Sequence, residues 1–439
     1  MKRKMILMAL LCALLALGLS GCLFKPANAL YTLPQQPPEY DALQSELDRL
    51  LATGMQYSAP ASGDNLQAVQ MADLTGDGVD EVLVFLKASG EKPLQVYIYE
   101  KQGGQYENIA VLTSSGSSFD RVDYVQLDGA PGLEIILGTQ VSAQVLQSLH
   151  AYTLQSGGAA ELLSTNYFRY TTADLDADGV EELVSFRSGE ADQPGVAERF
   201  VCDGGQLVPA GQASLSQPLE ADGIVRLLCG YVQEDLCGVF AASRQPEGGL
   251  VTDVFALRNG AFTNITLQEG SAGTAREGEI FGMDIDDDGF VELPSVQYLQ
   301  KLENQDTRTY YLVDWYNLDA DGGKHTKLTT YYNAESGWYL KLPPAWRGKV
   351  LVHYGEDESG YTGYGFYLYA ATPEQTQWAA TIYQFTGPDA QTRANEDGRF
   401  LLAAQGDVAF AAALSDDAGL TEAELGRLFC LVHLHWNAA

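Results

Sequence analysis

The period of the apolar positions changes several times along this chain. Met5 to Leu19 is an apolar run behind Lys2, Arg3 and Lys4. It is too short for a comfortable membrane span and has the shape of a secretory signal peptide over residues 1–21. Residues 22–40 carry Pro26, Pro34, Pro37 and Pro38 with few apolar clusters, which predicts a tether. Leu43, Leu47, Leu50 and Leu51 then recur at helical spacing and Gly54 offers a stop, so 41–61 is expected to hold one short helix and a lead-in. From residue 62 the runs become short and branched. Val69–Met71, Val82–Phe85, Gln95–Glu100 and Tyr106–Leu112 read as four strands separated by turn residues.

That order of elements repeats. Asp73-Leu-Thr-Gly-Asp-Gly-Val-Asp-Glu81 returns as Asp174-Leu-Asp-Ala-Asp-Gly-Val-Glu-Glu182 and as Asp284-Ile-Asp-Asp-Asp-Gly-Phe-Val-Glu292. A degraded copy, Gln126 to Glu134, keeps the turn but few carboxylates, and around 230–240 only the strand Cys237 to Phe240 is recognisable. Gly-centred hairpins at Gly103-Gly104, Gly157-Gly158, Gly204-Gly205 and Asn259-Gly260 keep step with the loops. Four short antiparallel strands at a period near 50 residues is the pattern of a propeller blade. The expected fold is therefore mainly β: a β-propeller of about five or more four-stranded blades over 62–333, followed by a small α+β domain over 334–439. The repeated Asp-x-Asp-x-Asp-Gly-x-x-Glu loop between two strands resembles the FG-GAP or VCBS repeats of integrin-like propellers, although FG-GAP loops more often carry Asp at the ninth position.

The loop chemistry suits Ca2+, a hard cation that takes six to eight oxygens from a chain able to wrap around it. Positions 1, 3 and 5 supply carboxylates, position 6 a glycine for the turn, position 7 a carbonyl and position 9 a further carboxylate. The expected ligands are Asp174, Asp176, Asp178, the Val180 carbonyl and Glu182 in the third unit, and Asp284, Asp286, Asp288, the Phe290 carbonyl and Glu292 in the fifth. The first unit offers Asp73, Thr75, Asp77, the Val79 carbonyl and Glu81, and its hydroxyl in place of a carboxylate predicts weaker binding. Two or three structural Ca2+ sites are thus expected. The competing explanation is that these are tight Asp-Gly turns whose carboxylates cap backbone amides. Asp319-Ala-Asp321-Gly-Gly323 lacks the ninth carboxylate and reads as a hairpin turn.

After residue 333 the period is lost. Strand-like runs at Lys349–Val352, Gly365–Tyr369, Trp378–Phe385 and Phe400–Ala404 precede a capping-box sequence, Thr421-Glu-Ala-Glu424, expected to open a helix running to about His435. Tyr361, Tyr364, Tyr367 and Tyr369 with Trp338 and Trp346 offer an aromatic platform, but aromatic residues in strands more often pack half-buried.

The apolar run ends in Leu19-Ser20-Gly21-Cys22, which resembles a bacterial lipobox. The resemblance implies that Cys22 carries a diacylglyceryl group and that the chain is exported and lipid-anchored to the outer face of the bacterial membrane or cell envelope, touching the membrane through that lipid only. The chain of 439 residues has 58 acidic against 26 basic side chains, a net charge of −32, which argues against nucleic-acid partners. Six cysteines in this length are too sparse for a disulfide scaffold; a Cys229–Cys237 bridge remains open. No nucleophile elbow, zinc-protease motif, P-loop or Cys-x-x-Cys occurs, and His150, His325, His353, His433 and His435 form no metal pattern. The expectation is a non-enzymatic binding or assembly module for an envelope protein, wall polymer or glycan. The alternative is an exported polysaccharide-acting enzyme with its site in the propeller funnel.

Overall fold

The computed structural model describes residues 40–141, 147–155, 157–189, 193–219, 223–268, 270–302, 307–357, 360–370 and 376–432. The signal peptide, Cys22, nearly all of the tether, and His433 and His435 lie outside the described residues.

The protein is mainly β. Among the described residues, six antiparallel sheets of four or five strands follow one another along the chain. The first comprises Val69–Ala72, Glu81–Lys87, Leu94–Gln102 and Gln105–Ser114, with Gln56–Tyr57 added beside Glu81–Lys87. The second runs Ser118–Val125, Glu134–Gln140, Gln147–Gln155, Gly158–Tyr167, and the third Arg169–Ala173, Glu182–Arg187, Val196–Asp203, Gln206–Ser214. The fourth is Ile224–Gln233, Leu236–Arg244, Leu250–Arg258 and Ala261–Asn264.

Each sheet packs its faces on its neighbours, which explains the unbroken apolar runs. A strand covered on both faces has no reason to alternate. In Glu81–Lys87, Leu83 and Phe85 enter the core shared with the second sheet, where Phe85 meets Phe119 edge-on at 5.2 Å. Val82, Val84 and Leu86 point the other way, onto Leu43, Leu47 and Leu50 of helix α1, Asp41–Ala52. The second and third sheets share Ile136, Leu149, Leu183 and Phe200, and the third and fourth meet through Phe186 and Phe255, 5.6 Å apart. The fourth and fifth join through Phe240, Val254, Leu293 and Tyr316, and the fifth and sixth through Tyr331, Trp338, Trp346 and Phe366. The outer face of the sixth sheet is covered in turn by Ala390, in helix α2 (Ala390–Arg393), and by Ala394 just beyond it, against Phe385 and Ala409. Among the described residues no hydrophobic core joins the first sheet to the sixth; each end face carries its own helix.

The C-terminal region departs from expectation. The boundary expected at 333/334 falls inside a hairpin, where Lys324–Asn333 pairs with Trp338–Lys341 in a sheet begun by Leu293–Tyr298 and Tyr311–Leu318. The fifth strand of that sheet is Phe429–Leu431, paired with Trp338–Lys341. Residues 350–414 form the sixth sheet, from Val350–Glu356, Thr362–Tyr369, Thr376–Thr386, Val408–Leu414 and Phe400–Gln405. What ended near residue 333 was the acidic-loop pattern, while the two-residue strand period carried on. The last helix is also shorter than expected. The Thr421/Glu424 capping box is formed, yet α3 spans only Glu422–Leu428, because Phe429 turns into the fifth sheet beside Trp338 and Phe410, at 5.6 and 5.5 Å.

Candidate metal centres

The repeated loops link the first two strands of the first, second and third sheets, and in the fifth the loop is closed by the Met283–Glu292 bridge. In the fourth sheet the loop is reduced to the turn Glu234-Asp235, with Asp235 at φ 59°. Neighbouring loops are tied by backbone. The Asp73 carbonyl accepts from Leu133 N at 3.2 Å, the Gln126 carbonyl from Glu181 N at 3.0 Å, and the Tyr231 carbonyl from Val291 N at 2.9 Å. In the first two pairs the same loop positions, the first and the eighth, make the bond. The loops therefore form a row along one end of the stacked sheets.

Within each loop the carboxylates hold the turn. Asp73 accepts from the amides of Gly76 and Gly78 at 2.7 and 2.9 Å, Asp174 from Asp178 and Gly179 at 3.1 and 3.0 Å, and Asp284 from Asp288 and Gly289 at 3.0 and 2.8 Å. In the degraded second loop Gln126 Oε1 does the same work, accepting from Gly129 N at 2.8 Å. The fifth positions, Asp77, Asp178 and Asp288, accept from the amides of Val79, Val180 and Phe290.

The ninth-position glutamate is a latch. Glu81, Glu134, Glu182 and Glu292 are all buried, at 4% exposure or less. Each accepts a bond from the second-position amide: Leu74, Leu127 and Ile285 at 2.8, 2.8 and 3.0 Å, and Leu175 at 2.7 Å. Burial pushes all four carboxyls above the ordinary glutamate value. For Glu292 burial, with repulsion from Asp286 and Asp284, raises it to about 7.

Two loops go further and gather ligand atoms. Carboxylate oxygens of Asp174, Asp176 and Asp178 lie within 4.8 Å of one another, as do those of Asp284, Asp286 and Glu292. In the fifth unit one oxygen of Asp286, Oδ1, is buried without a hydrogen-bond partner. That orphaned oxygen beside two further carboxylates fits a hard cation. Positive charge already faces both groups. Arg199, on Val196–Asp203, donates to Asp176 at 3.0 Å and closely to Glu182. Lys327, on Lys324–Asn333, contacts Asp288 closely and stands 3.6 Å from Asp286 and 3.8 Å from Glu292. A cavity of about 380 Å3, lined by Asp128, Asp176, Asp178, Glu182 and Arg199 among others, opens between the second and third loops.

Of the expected ligands, Glu182 and Asp288 lie outside these two groups; Glu182 is engaged by Arg199 and Asp288 by Lys327. In the first unit Asp73, Asp77 and Glu81 form no such group among the described residues; the Thr75 hydroxyl lies 3.5 Å from Glu81. Arg199 and Lys327 escaped the sequence reading because they belong to strands outside the loop motif, and only sheet register brings them there. Asp319 makes the expected turn, accepting from Asp321 N, Gly323 N and His325. Trp338 and Trp346 are core residues and Tyr364 packs on Tyr331, Trp338 and Tyr354, so packing claims this part of the aromatic set. Cys229 and Cys237 are free thiols.

No protein-family model and no curated protein matches the chain. Among solved structures it is similar to the exotype rhamnogalacturonan lyase YesX, with TM-score 0.28 and 13% identity over 74% of this chain and 65% of that one. A rhamnogalacturonan lyase of Bacillus licheniformis gives TM-score 0.29 and 11% identity over 74% and 72%. The chain thus spans a little under two thirds of the first and somewhat more of the second.

Proposed function

We propose that this chain is an exported lipoprotein, anchored through Cys22 at the outer face of a bacterial membrane or envelope, whose stacked sheets carry Ca2+-binding loops of FG-GAP or VCBS type. In this reading it is a binding or assembly module for an envelope protein, wall polymer or glycan. The observation that carries it is the carboxylate group of the fifth loop, where Asp284, Asp286 and Glu292 converge and Asp286 Oδ1 is buried without a partner. Asp174, Asp176 and Asp178 support a second site. Carboxylates crowded at alternate positions repel one another, and a divalent cation relieves that repulsion while fixing the loops. Rigid sheets then hold a rim of loops in place for a partner.

The test is a thermal melt of the full chain in millimolar Ca2+ and in chelator, for wild type, Asp286→Ala and Asp176→Ala. A ligand that binds only the native state raises its midpoint. The expected result is a higher midpoint in Ca2+, with part of the rise lost in each variant. Identical melts in Ca2+ and chelator would sink the metal reading. Turnover of a polysaccharide by the purified protein would replace the binding module with the enzyme.

A further inference from the structure

A cavity of about 350 Å3 opens where the fifth and sixth sheets meet, lined by Tyr311, Tyr331 and Tyr364 together with Arg308 and Glu335. It sits at the end of the fifth sheet away from the acidic loop, where Tyr298 pairs with Tyr311 and Leu312 with Tyr331. The rings are packed: Tyr364 lies 5.9 Å from Tyr331 and 4.7 Å from Tyr354. The hydroxyls are not. Among the described residues those of Tyr311, Tyr331 and Tyr364 have no hydrogen-bond partner, yet none of the three oxygens is sealed from solvent. Tyr331 is only 6% exposed, so the little surface it keeps includes its hydroxyl. Tyr364, Tyr310, Tyr311 and Arg308 all act electrostatically on that hydroxyl, so these groups surround one space. Burial raises Tyr331 and Tyr311 above the ordinary tyrosine value. Both hydroxyls therefore keep their protons and can donate as well as accept.

A second cavity, of about 330 Å3, adjoins the first and shares Arg308, Glu335 and Tyr364 with it. Arg308 lies over the Tyr354 ring at 4.1 Å, and Tyr354 lines this second cavity with Ser336. Arg308 and Glu335 are both exposed. One cation and one anion on the shared wall leave it without net charge, which favours a neutral ligand over an anion or a cation. Hydroxyls that both donate and accept, set beside aromatic rings, match the hydroxyls and apolar faces of a pyranose. Each volume lies within the range of small-molecule sites, which run from about 300 to 1,000 Å3, and two adjoining cavities suit consecutive rings of a chain. We propose that this paired cleft binds a neutral oligosaccharide, with the Tyr331 and Tyr364 hydroxyls and Glu335 as hydrogen-bond partners of its hydroxyl groups. The inference rests on the reading of the protein as a glycan-binding module but uses none of the loop carboxylates.

The experiment is calorimetric titration of the full chain with cellohexaose, xylohexaose, chitohexaose, glucose and hexagalacturonate, in Ca2+ and in chelator, beside thermal melts. At least one neutral hexamer is expected to bind about tenfold or more tightly than hexagalacturonate, and than glucose, which fills one cavity only. Tyr331→Phe and Tyr364→Phe are each expected to weaken that binding about threefold to tenfold, the worth of one hydrogen bond. Both variants should melt as wild type does, because neither hydroxyl has a protein partner to lose. Hexamer binding untouched by both substitutions overturns this site and leaves the glycan-binding reading standing. Tighter binding of hexagalacturonate, or a lowered melt in both variants, also overturns the proposal. No binding of any neutral hexamer at millimolar concentration overturns it and takes the glycan out of the functional reading as well. Oligosaccharide binding with melts indifferent to Ca2+ removes the metal reading and leaves this one standing.

Discussion

One nitrogen of Arg199 donates to both Asp176 and Glu182, so a guanidinium from a neighbouring strand stands where the acidic side chains of the third loop converge. The loop carries an internal counterion, and any Ca2+ must compete with it. Arg199→Met is expected to lower stability in chelator by about 3 kcal/mol, because the buried Glu182 loses its partner. In Ca2+ the same variant is expected to bind the ion about tenfold more tightly at the third loop. Calorimetry on wild type and variant checks this, and unchanged Ca2+ affinity would refute competition.

Glu134 separates latch from ligand. It makes the same bond to the second-position amide as the other loop glutamates, at 2.8 Å, but its loop lacks the carboxylate set. Glu134→Ala leaves the Leu127 amide without its partner and is expected to cost about 1–3 kcal/mol. Urea denaturation should give the same loss in Ca2+ and in chelator. Glu292→Ala should lose stability in chelator and, in addition, part of the Ca2+-dependent gain.

The contact between the first two loops depends on two glycines. Gly132 has φ +105°, and a Cβ there would stand 2.4 Å from the Leu74 carbonyl oxygen; one on Gly76 would stand 2.4 Å from Gly132 N. Backbone cannot yield as a flexible side chain does, so Gly132→Ala is expected to cost about 3 kcal/mol or more. Gly179 has a similar φ of +89° with nothing within 4 Å of the added carbon. Gly179→Ala should cost only the conformational strain, about 1–2 kcal/mol. Comparing the two melts isolates the loop-to-loop contact.

Cys229 is half-buried against the core between the third and fourth sheets, with its sulfur 3.2 Å from the Thr171 hydroxyl. Burial pushes the thiol up to about 11. The thiolate is the reactive form, so alkylation by iodoacetamide should rise about tenfold per pH unit from 7 to 10. At pH 8 it should run about 200-fold slower than a peptide thiol, from the difference of about 2.5 units. Peptide mapping by mass spectrometry reads both, and fast labelling at pH 7 would refute the raised thiol value.

Much of the architecture was legible in the residues. The Leu43, Leu47, Leu50 stripe forms α1, Gly54 follows it at φ +98°, and the acidic loops sit between strands as their spacing predicts. Even the degraded second loop folds as its relatives do, because Gln126 replaces an aspartate as acceptor. The strand that closes the fifth sheet was not legible, since the pairing of Trp338–Lys341 with Phe429–Leu431 spans nearly a hundred residues with no local mark.

What the sequence determined alone was local: strand periods, turn glycines, caps, and the carboxylates that hold each loop by bonds to amides a few positions away. These depend on backbone geometry within one loop, so a nine-residue pattern specifies them. The tertiary structure decided which charges meet. Arg199 and Lys327 reach the loops only through strand register and sheet packing. Electrostatic interaction depends on distance in space, and that distance is fixed only once the sheets have stacked.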